Sequence, residues 1–155
     1  MEKRIIDEID HKILNIIQDN ARITNSSLAL KVKMAPSAVL ERVRKLEQKK
    51  VIKSYIAQID EQSVSLGLLA FVNVRVDASN WSDSLGEALA KIPWVQELHE
   101  VCGDDSYMLK IRARDTAHLS EIVKEGIGRI KAVKQTRSTI VLKSIKDSPV
   151  LHLEN

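Results

Sequence analysis

Residues 35–52 read APSAVLERVRKLEQKKVI, and the apolar residues Val39, Val43 and Leu46 are spaced four and then three positions apart. This spacing puts them on one face of an α-helix whose other face is polar and mostly basic. Pro36 fits the first turn of this helix, because the N–H group that proline lacks would have no partner there. The stretch therefore predicts a helix that packs on a small core and presents cations outward.

Two shorter helices are predicted before it. Asp7, followed three residues later by Asp10, is a variant of the capping box, and it precedes the apolar stripe Ile9, Ile13, Ile16 and Ile17. Thr24 is predicted to cap the second helix. Three short helices, with the last two closely joined and the third basic, are typical of a helix-turn-helix that binds DNA. A helical hairpin without nucleic acid would look similar but would not need the basic bias.

The charge distribution supports a polyanionic partner for this part of the chain. The net charge is +3, yet residues 20–53 hold nine basic residues against two acidic ones, and residues 61–155 hold 12 against 13. Such asymmetry favours nucleic acid as partner of the N-terminal part and a different task for the rest. A basic face that is merely solvated is the alternative.

Composition excludes several other classes of protein. The single cysteine, Cys102, excludes a disulfide framework, and His99 with Cys102 offers too few ligands for zinc. No apolar run approaches the roughly 20 residues that span a bilayer. The first ten residues, MEKRIIDEID, lack the apolar stretch of a secretory signal. We therefore expect a cytoplasmic protein without metal or cofactor and without a membrane partner.

Beyond residue 50 the helical spacing gives way to alternation. Residues 51–66 are predicted to form a linker strand, and Ala70, Val72, Val74 and Val76 then alternate with polar residues. A helix within 81–93, strands within 95–102 and 107–113, a helix capped by Asp115 and a closing strand within 132–146 complete the order βαββαβ. This is the ferredoxin-like arrangement. The expected domains are residues 1–50, the linker 51–66, residues 67–145 and a tail 146–155, which either frays or docks on a neighbour.

Three segments together resemble the Lrp/AsnC (leucine-responsive/asparagine-operon regulator) family over essentially the whole chain. They are DEIDHKILNIIQDNAR at residues 7–22, VLERVRKLEQKKVIKSYIAQID at 39–60 and CGDDSYMLKIRARD at 102–115. The resemblance implies an α+β fold, with an N-terminal winged helix-turn-helix and a C-terminal βαββαβ domain. It also implies a transcriptional regulator that binds double-stranded DNA, forms a homodimer that often assembles into an octamer, and responds to a small molecule, typically an amino acid.

The polar face of the basic helix supplies most of the predicted DNA contacts. Arg42 is the candidate for a bidentate contact to guanine, and Ala38 is small enough to lie against a thymine methyl group. Ser37 suits either bases or phosphate, whereas Arg44 and Lys45 suit phosphates. The start of the second helix adds candidate contacts to the DNA backbone from Arg22, Thr24 and Asn25.

Glu41 is the one acidic residue in the middle of this basic face. It repels phosphate, but it can accept a hydrogen bond from N4 of cytosine. The alternative is an ion pair with Lys45, four residues later on the same helix. The two interpretations are compatible, with the pair in the free protein and the base contact in the complex.

The resemblance places an effector site at the turn Gly103, Asp104, Asp105, Ser106 and Tyr107, with Ser138 on the closing strand. An amino acid offers a carboxylate, which the N–H groups of a glycine-containing turn can bind, and an ammonium group, which needs a carboxylate. Turn chemistry alone would also select these residue types. One of the two aspartates is the expected partner of the ammonium group, and Asp104, beside Gly103, is preferred over Asp105.

The chain departs from the family pattern at four positions. Lys33 stands where a glycine usually forms the turn, and Ala35 stands where a serine usually caps the third helix. Glu41 replaces a residue that is often basic, and Ser106 replaces an aspartate that commonly precedes the tyrosine. The first two changes weaken helix ends, the third affects DNA readout and the fourth affects the choice of effector.

Two other functions share parts of this pattern. Siroheme decarboxylases resemble the family in both domains, although an intact basic helix argues against an enzyme. A protein that compacts DNA with little sequence preference would carry the same basic face.

Overall fold

The computed structural model describes residues 6–77 and 82–153. The parts of the predicted domains that fall on residues 1–5, 78–81 and 154–155 lie outside the described residues. The chain forms two compact units. We call residues 6–58 with 146–153 the helical unit, and residues 59–145 the sheet unit.

The helical unit contains α1 (Glu8–Asp19), α2 (Asn25–Val32) and α3 (Pro36–Gln48). Their inward faces carry the predicted apolar stripes, and Ile13, Leu28 and Val39 are fully or almost fully buried. Half-buried residues from beyond the helices, Val51 and Leu153 among them, pack against this core. The helices therefore fold as the spacing of apolar residues predicts, and part of the tail joins their core.

The sheet unit contains four antiparallel strands in the order β2-β3-β1-β4. The strands are β1 (Leu68–Val76), β2 (Val95–Glu100), β3 (Tyr107–Ala113) and β4 (Val133–Ile140), with α4 (Asp83–Ala90) and α5 (Thr116–Glu121) between them. The alternating residues of β1 and β3 are buried against Leu85, Leu89 and Leu119 of the helices. The predicted order βαββαβ is confirmed.

A π-helical turn, Ile122–Ile127, extends α5 where the sequence predicts a continuous α-helix. The N–H group of Gly128 donates to the carbonyl oxygen of Val123 at 2.8 Å, five residues back. A Cβ atom at position 128 would lie 2.8 Å from the carbonyl oxygen of Lys124. The absence of a side chain at Gly128 is therefore what permits the wider turn.

The linker departs from its predicted strand, and the tail takes one of its two predicted alternatives. Residues 51–66, all of which the structure describes, form no strand, because no strand among the described residues lies beside this β-branched run to complete its hydrogen bonds. The tail does not fray over residues 149–153, which lie along α1. Of the two alternatives, docking is therefore observed, and the surface that receives the tail belongs to its own chain.

Candidate DNA-binding and effector sites

An ion-pair cluster joins α1 to α3. The backbone N–H of Asp10 donates to the Asp7 carboxylate at 2.9 Å, and that of Asp7 donates to the Asp10 carboxylate at 3.2 Å, which completes the predicted capping box. One guanidinium nitrogen of Arg42 then reaches both carboxylates, at 2.7 Å for Asp7 and 2.8 Å for Asp10. The cluster thereby fixes the start of α1 to the middle of α3.

The electrostatics of this cluster are mutually reinforcing. The N–H group of Asp10 and the guanidinium of Arg42 hold the pKa of the Asp7 carboxyl below its ordinary value. The same two carboxylates raise the pKa of Arg42. The Arg42 side chain is 28% exposed, so its charge is used within the helical unit rather than presented to solvent. Arg42, the residue that the sequence favours for a guanine contact, is thus already paired with two carboxylates of α1.

The outward face of α3 is centred on Ser37, Glu41, Arg44 and Gln48, all exposed. Their spacing of four, three and four residues matches that of the buried stripe on the opposite face. Arg42 falls on the flank of the helix beside α1. Ala38, half-buried, lies on the same flank, and exposed Lys45 lies between that flank and the outward face. Sequence reasoning missed Gln48, although its helical spacing from Arg44 was a sufficient signal.

Glu41 pairs with Lys45 at 2.6 Å, and both side chains are well exposed. The hydrogen bond and the charge of Lys45 lower the pKa of Glu41, which is therefore ionised at neutral pH. The predicted pair along the helix is present in the free protein. The contact of Glu41 with a base stays a prediction.

The start of α2 exposes three further candidates. The Thr24 hydroxyl accepts a hydrogen bond from the backbone N–H of Ser27 at 3.1 Å, so it caps the helix as predicted. Arg22 is exposed, and its backbone N–H donates to the Asn20 side chain at 3.0 Å. Asn25 is exposed in the first turn. All three face solvent, but the hydroxyl of Thr24 is already engaged in capping.

The turn between α2 and α3 contains two of the departures from the family pattern, Lys33 and Ala35. Lys33 adopts the left-handed conformation, with φ 56° and ψ 47°. Its N–H group still bonds to the end of α2, as does that of Met34, at 3.0 Å from the carbonyl oxygen of Ala29. Ala35 offers no side-chain cap to α3. The turn therefore keeps its geometry without the residues that favour it.

In the sheet unit, two arginines hold the loop that joins β2 to β3. The Nε–H of Arg75 on β1 donates to the backbone carbonyl oxygen of Asp104 at 2.8 Å. Arg137 on β4 pairs with the Asp105 carboxylate at 2.7 Å. Gly103 has φ 130°, a conformation that suits glycine. In the described part of the chain, the Asp104 carboxylate has no hydrogen-bond or ion-pair partner, so it is the one available to a ligand.

The remaining effector candidates occupy different positions. The Ser106 hydroxyl accepts from the N–H of Val76 at 3.3 Å, and the Ser106 N–H donates to the carbonyl oxygen of Val74 at 2.8 Å, so Ser106 ties the loop to β1. Tyr107 is buried on the helical side of the sheet. Ser138 is exposed on β4, next in sequence to Arg137. The structure gathers Asp104, Asp105 and Ser106 and gives Tyr107 a place in the core.

His118, in the short helix α5, is buried. Its ring stands edge-on to Trp94, with 4.6 Å between centroids. The ring nitrogen Nδ1 accepts from the backbone N–H of Arg114 at 3.2 Å. The first turn of α5 therefore faces the core, and the bond to the Arg114 N–H gives the His118 ring a capping role.

Family models match both units. A model of winged helix-turn-helix DNA-binding domains matches residues 6–53. A model of the Lrp/AsnC ligand-binding domain matches residues 69–151. The first match contains the candidate DNA-binding residues, and the second contains the candidate effector residues.

Relatives match nearly the whole chain. The leucine-responsive regulatory protein of Escherichia coli K12 is 34% identical over 145 residues, which are 92% of this chain and 88% of that protein. A transcriptional regulator from Neisseria meningitidis in complex with L-Met superposes with a TM-score of 0.87 at 30% identity, covering 95% of this chain and 96% of that one. A feast or famine regulatory protein from M. tuberculosis complexed with L-methionine gives 0.86 at 30% identity, over 94% and 97% of the two chains.

Proposed function

The chain belongs to the Lrp/AsnC family, and from that premise we propose how its residues act. It is a DNA-binding transcriptional regulator whose activity responds to an amino-acid effector. The observation that carries the DNA-binding mechanism is the outward face of α3, which presents Ser37, Glu41, Arg44 and Gln48 to solvent while the opposite face is buried.

We propose that this face enters the major groove and that Arg44, at its centre, takes the base-contacting role. An arginine reads guanine through a bidentate contact, and a glutamine such as Gln48 can read adenine in the same way. Arg42 positions α3 through Asp7 and Asp10 rather than reading a base. Lys45, Arg22, Thr24 and Asn25 remain candidates for phosphate contacts, which add affinity without sequence information.

We propose that the effector is an amino acid bound at the loop 103–106, with Asp104 facing the ammonium group. Support comes from the unpaired Asp104 carboxylate in a loop that Arg75 and Arg137 already hold in place. The relatives whose names mention leucine or L-methionine make aliphatic amino acids the first to test. Ser106 leaves room that a larger acidic residue would fill, and Ser138 lies on the strand that also bears Arg137.

The proposals on oligomeric state and cellular location rest on the family and on the exposed surface. The helices in the described ranges are all too short or too polar to cross a membrane. We propose a cytoplasmic homodimer, able to assemble into an octamer, that acts as a regulator and not as an enzyme. Exposed apolar side chains such as Ile56, Ile59 and Leu142 favour association with further copies of the chain.

Two measurements test this function. Selection from random double-stranded DNA should enrich one sequence motif, and competition at several salt concentrations should preserve its advantage; no enrichment and a purely electrostatic salt dependence would indicate an architectural protein. A thermal-shift screen of the twenty amino acids should show stabilisation by a few of them, since a ligand that binds only the folded state raises stability. A porphyrin spectrum after mixing with siroheme would instead support the decarboxylase.

A further inference from the structure

The helical unit contains a second recognition surface, on α1, that neither DNA binding nor the effector site uses. Residues 146–153 follow the sheet unit in sequence but belong to the helical unit. Within that segment, the backbone N–H of Val150 donates to the Ser148 hydroxyl at 3.3 Å. Residues 149–153 then run along α1 without forming a helix or a strand.

Two amide side chains of α1 bind the backbone of this segment. Gln18 accepts a hydrogen bond from the Leu151 N–H at 2.8 Å and donates to the carbonyl oxygen of the same residue at 3.2 Å. Asn15 donates to the carbonyl oxygen of Leu153 at 3.4 Å. In an extended chain the backbone groups of residues two apart face the same side. Gln18 and Asn15 thus bind one edge of an extended peptide, as a neighbouring strand would.

Apolar contacts accompany these hydrogen bonds. Leu153 is half-buried and packs against the core of the helical unit. Leu14 and Ile17 of α1 line the same groove as Pro149 and Leu151 of the tail. Leu151 is 67% exposed although its backbone is bound on both sides, so its backbone rather than its side chain is recognised. The groove therefore fits an extended, uncharged segment with a leucine two residues after the doubly bonded position.

We propose that the Asn15–Gln18 face of α1 is a peptide-binding site whose occupant is residues 149–153 of the same chain, and that this occupancy completes the helical unit. The sheet unit is then inserted between two segments of one folded body. Any event that withdraws the tail exposes the groove to another extended peptide. The site reads backbone, so a peptide supplied from outside competes with the tail.

The first test uses the full chain. Gln18→Ala removes both hydrogen bonds to Leu151, and amide exchange in α1 should become about tenfold faster, while exchange in β1 and β3 stays unchanged. His152→Ala is the matched control, because His152 is exposed between the two recognised residues. Equal exchange in the two variants would overturn the proposal.

The second test separates the site from its occupant. A chain that stops after Asp147 should bind a fluorescent synthetic peptide, DSPVLHL, whereas the full chain should not, because its own tail fills the groove. Gln18→Ala in the shortened chain should weaken peptide binding by about tenfold. Absence of binding to a shortened chain that circular dichroism shows to be folded would overturn the proposal. If the shortened chain unfolds and the peptide refolds it, the proposal is supported; failure to refold it overturns the proposal.

The third test asks which chain supplies the tail. The unmodified full chain is co-refolded with an isotope-labelled shortened chain, so that each tail in a mixed assembly belongs to a chain whose own groove is intact. Docking within a chain predicts that α1 of the labelled chain exchanges as fast as in the shortened chain alone. Protection of α1 in the labelled chain would show docking between chains and would overturn the assignment of the occupant.

Discussion

The helical unit and the sheet unit assemble their candidate sites in different ways. The proposed DNA-binding residues lie within residues 22–48, on two helices and one turn, so helical spacing alone orders them. In the sheet unit, Arg75 and Arg137 reach the loop 103–106, the candidate effector site, from positions 29 and 32 residues away in sequence. Local periodicity therefore predicts the first site, whereas only the strand order brings the second together.

The strongest test of this contrast is Asp104→Asn. Arg75 bonds to the backbone of residue 104, so the substitution leaves the loop held and removes only the negative charge. We expect a loss of about 1.5–3 kcal/mol in effector affinity, the range for a hydrogen bond to a charged group. Calorimetry with the amino acid found in the thermal-shift screen measures it.

Asp105→Asn is the matched control, because the Asp105 carboxylate already pairs with Arg137. It should loosen the loop and reduce affinity less, and both variants should keep their affinity for DNA. Unchanged effector binding in Asp104→Asn would remove Asp104 from the site.

The second prediction separates Arg44 from Arg42 on the same helix. Arg44→Ala should cost about 1–3 kcal/mol at the specific DNA site and relax the preference for one base pair. Its resistance to urea should stay unchanged, because the side chain is exposed. A mobility-shift titration against specific and random DNA measures both effects. A uniform loss on all sequences, with the salt slope flattened by about one, would instead make Arg44 a phosphate contact.

Much of the helical unit is predictable because its signals are local. The Asp7 capping box and the Thr24 cap each depend on residues within one helical turn, and both are confirmed. Arg42 is different, because its partners lie 35 and 32 residues away and its position on the helix flank has to be derived from the wheel. The basic composition of α3 does not by itself separate Arg42 from the other cations of the helix.

In the sheet unit the alternation of β1 and β3 predicts the strands and the buried side. The same alternation places Tyr107 on the buried side with Leu109 and Ile111. It does not predict that His118 is buried or that α5 widens into a π-helical turn. Those outcomes depend on packing between elements. The docking of the tail on α1 likewise requires knowing which helix face is left open.

The third prediction concerns Arg42→Ala and pH. Loss of the guanidinium should destabilise the helical unit by about 1 kcal/mol, the upper end for exposed ion pairs, because Asp10 is largely buried while Asp7 is half-exposed. The folded-state pKa of Asp7 is lowered, so this contribution is complete above the ordinary value of 3.8 and is lost as the pH falls through the folded value.

Urea melts of the two proteins should therefore differ at pH 7, and the difference should shrink as the pH falls below 3.8 and through the lowered folded-state pKa of Asp7. Arg42→Met keeps the aliphatic stem and separates packing from charge. A difference that stays constant down to the lowest pH at which both proteins fold would show that Arg42 acts through packing alone.

The smallest effect is expected at two lysines that end helices in the left-handed conformation. Lys33 has φ 56° and Lys50 has φ 58°, while Lys49, next to Lys50, has φ −79°. A side chain in the left-handed region costs roughly 1–2 kcal/mol, and glycine avoids that cost but loses about 0.5–1 kcal/mol of chain entropy on folding. Lys33→Gly and Lys50→Gly should therefore raise stability in urea melts by up to about 1 kcal/mol.

Lys49→Gly removes the same charge at an ordinary φ and should lower stability by a similar amount, because only the entropic cost remains. If all three variants lose stability alike, the φ values at Lys33 and Lys50 carry no strain, and the turn that joins α2 to α3 is stabilised by the lysine itself.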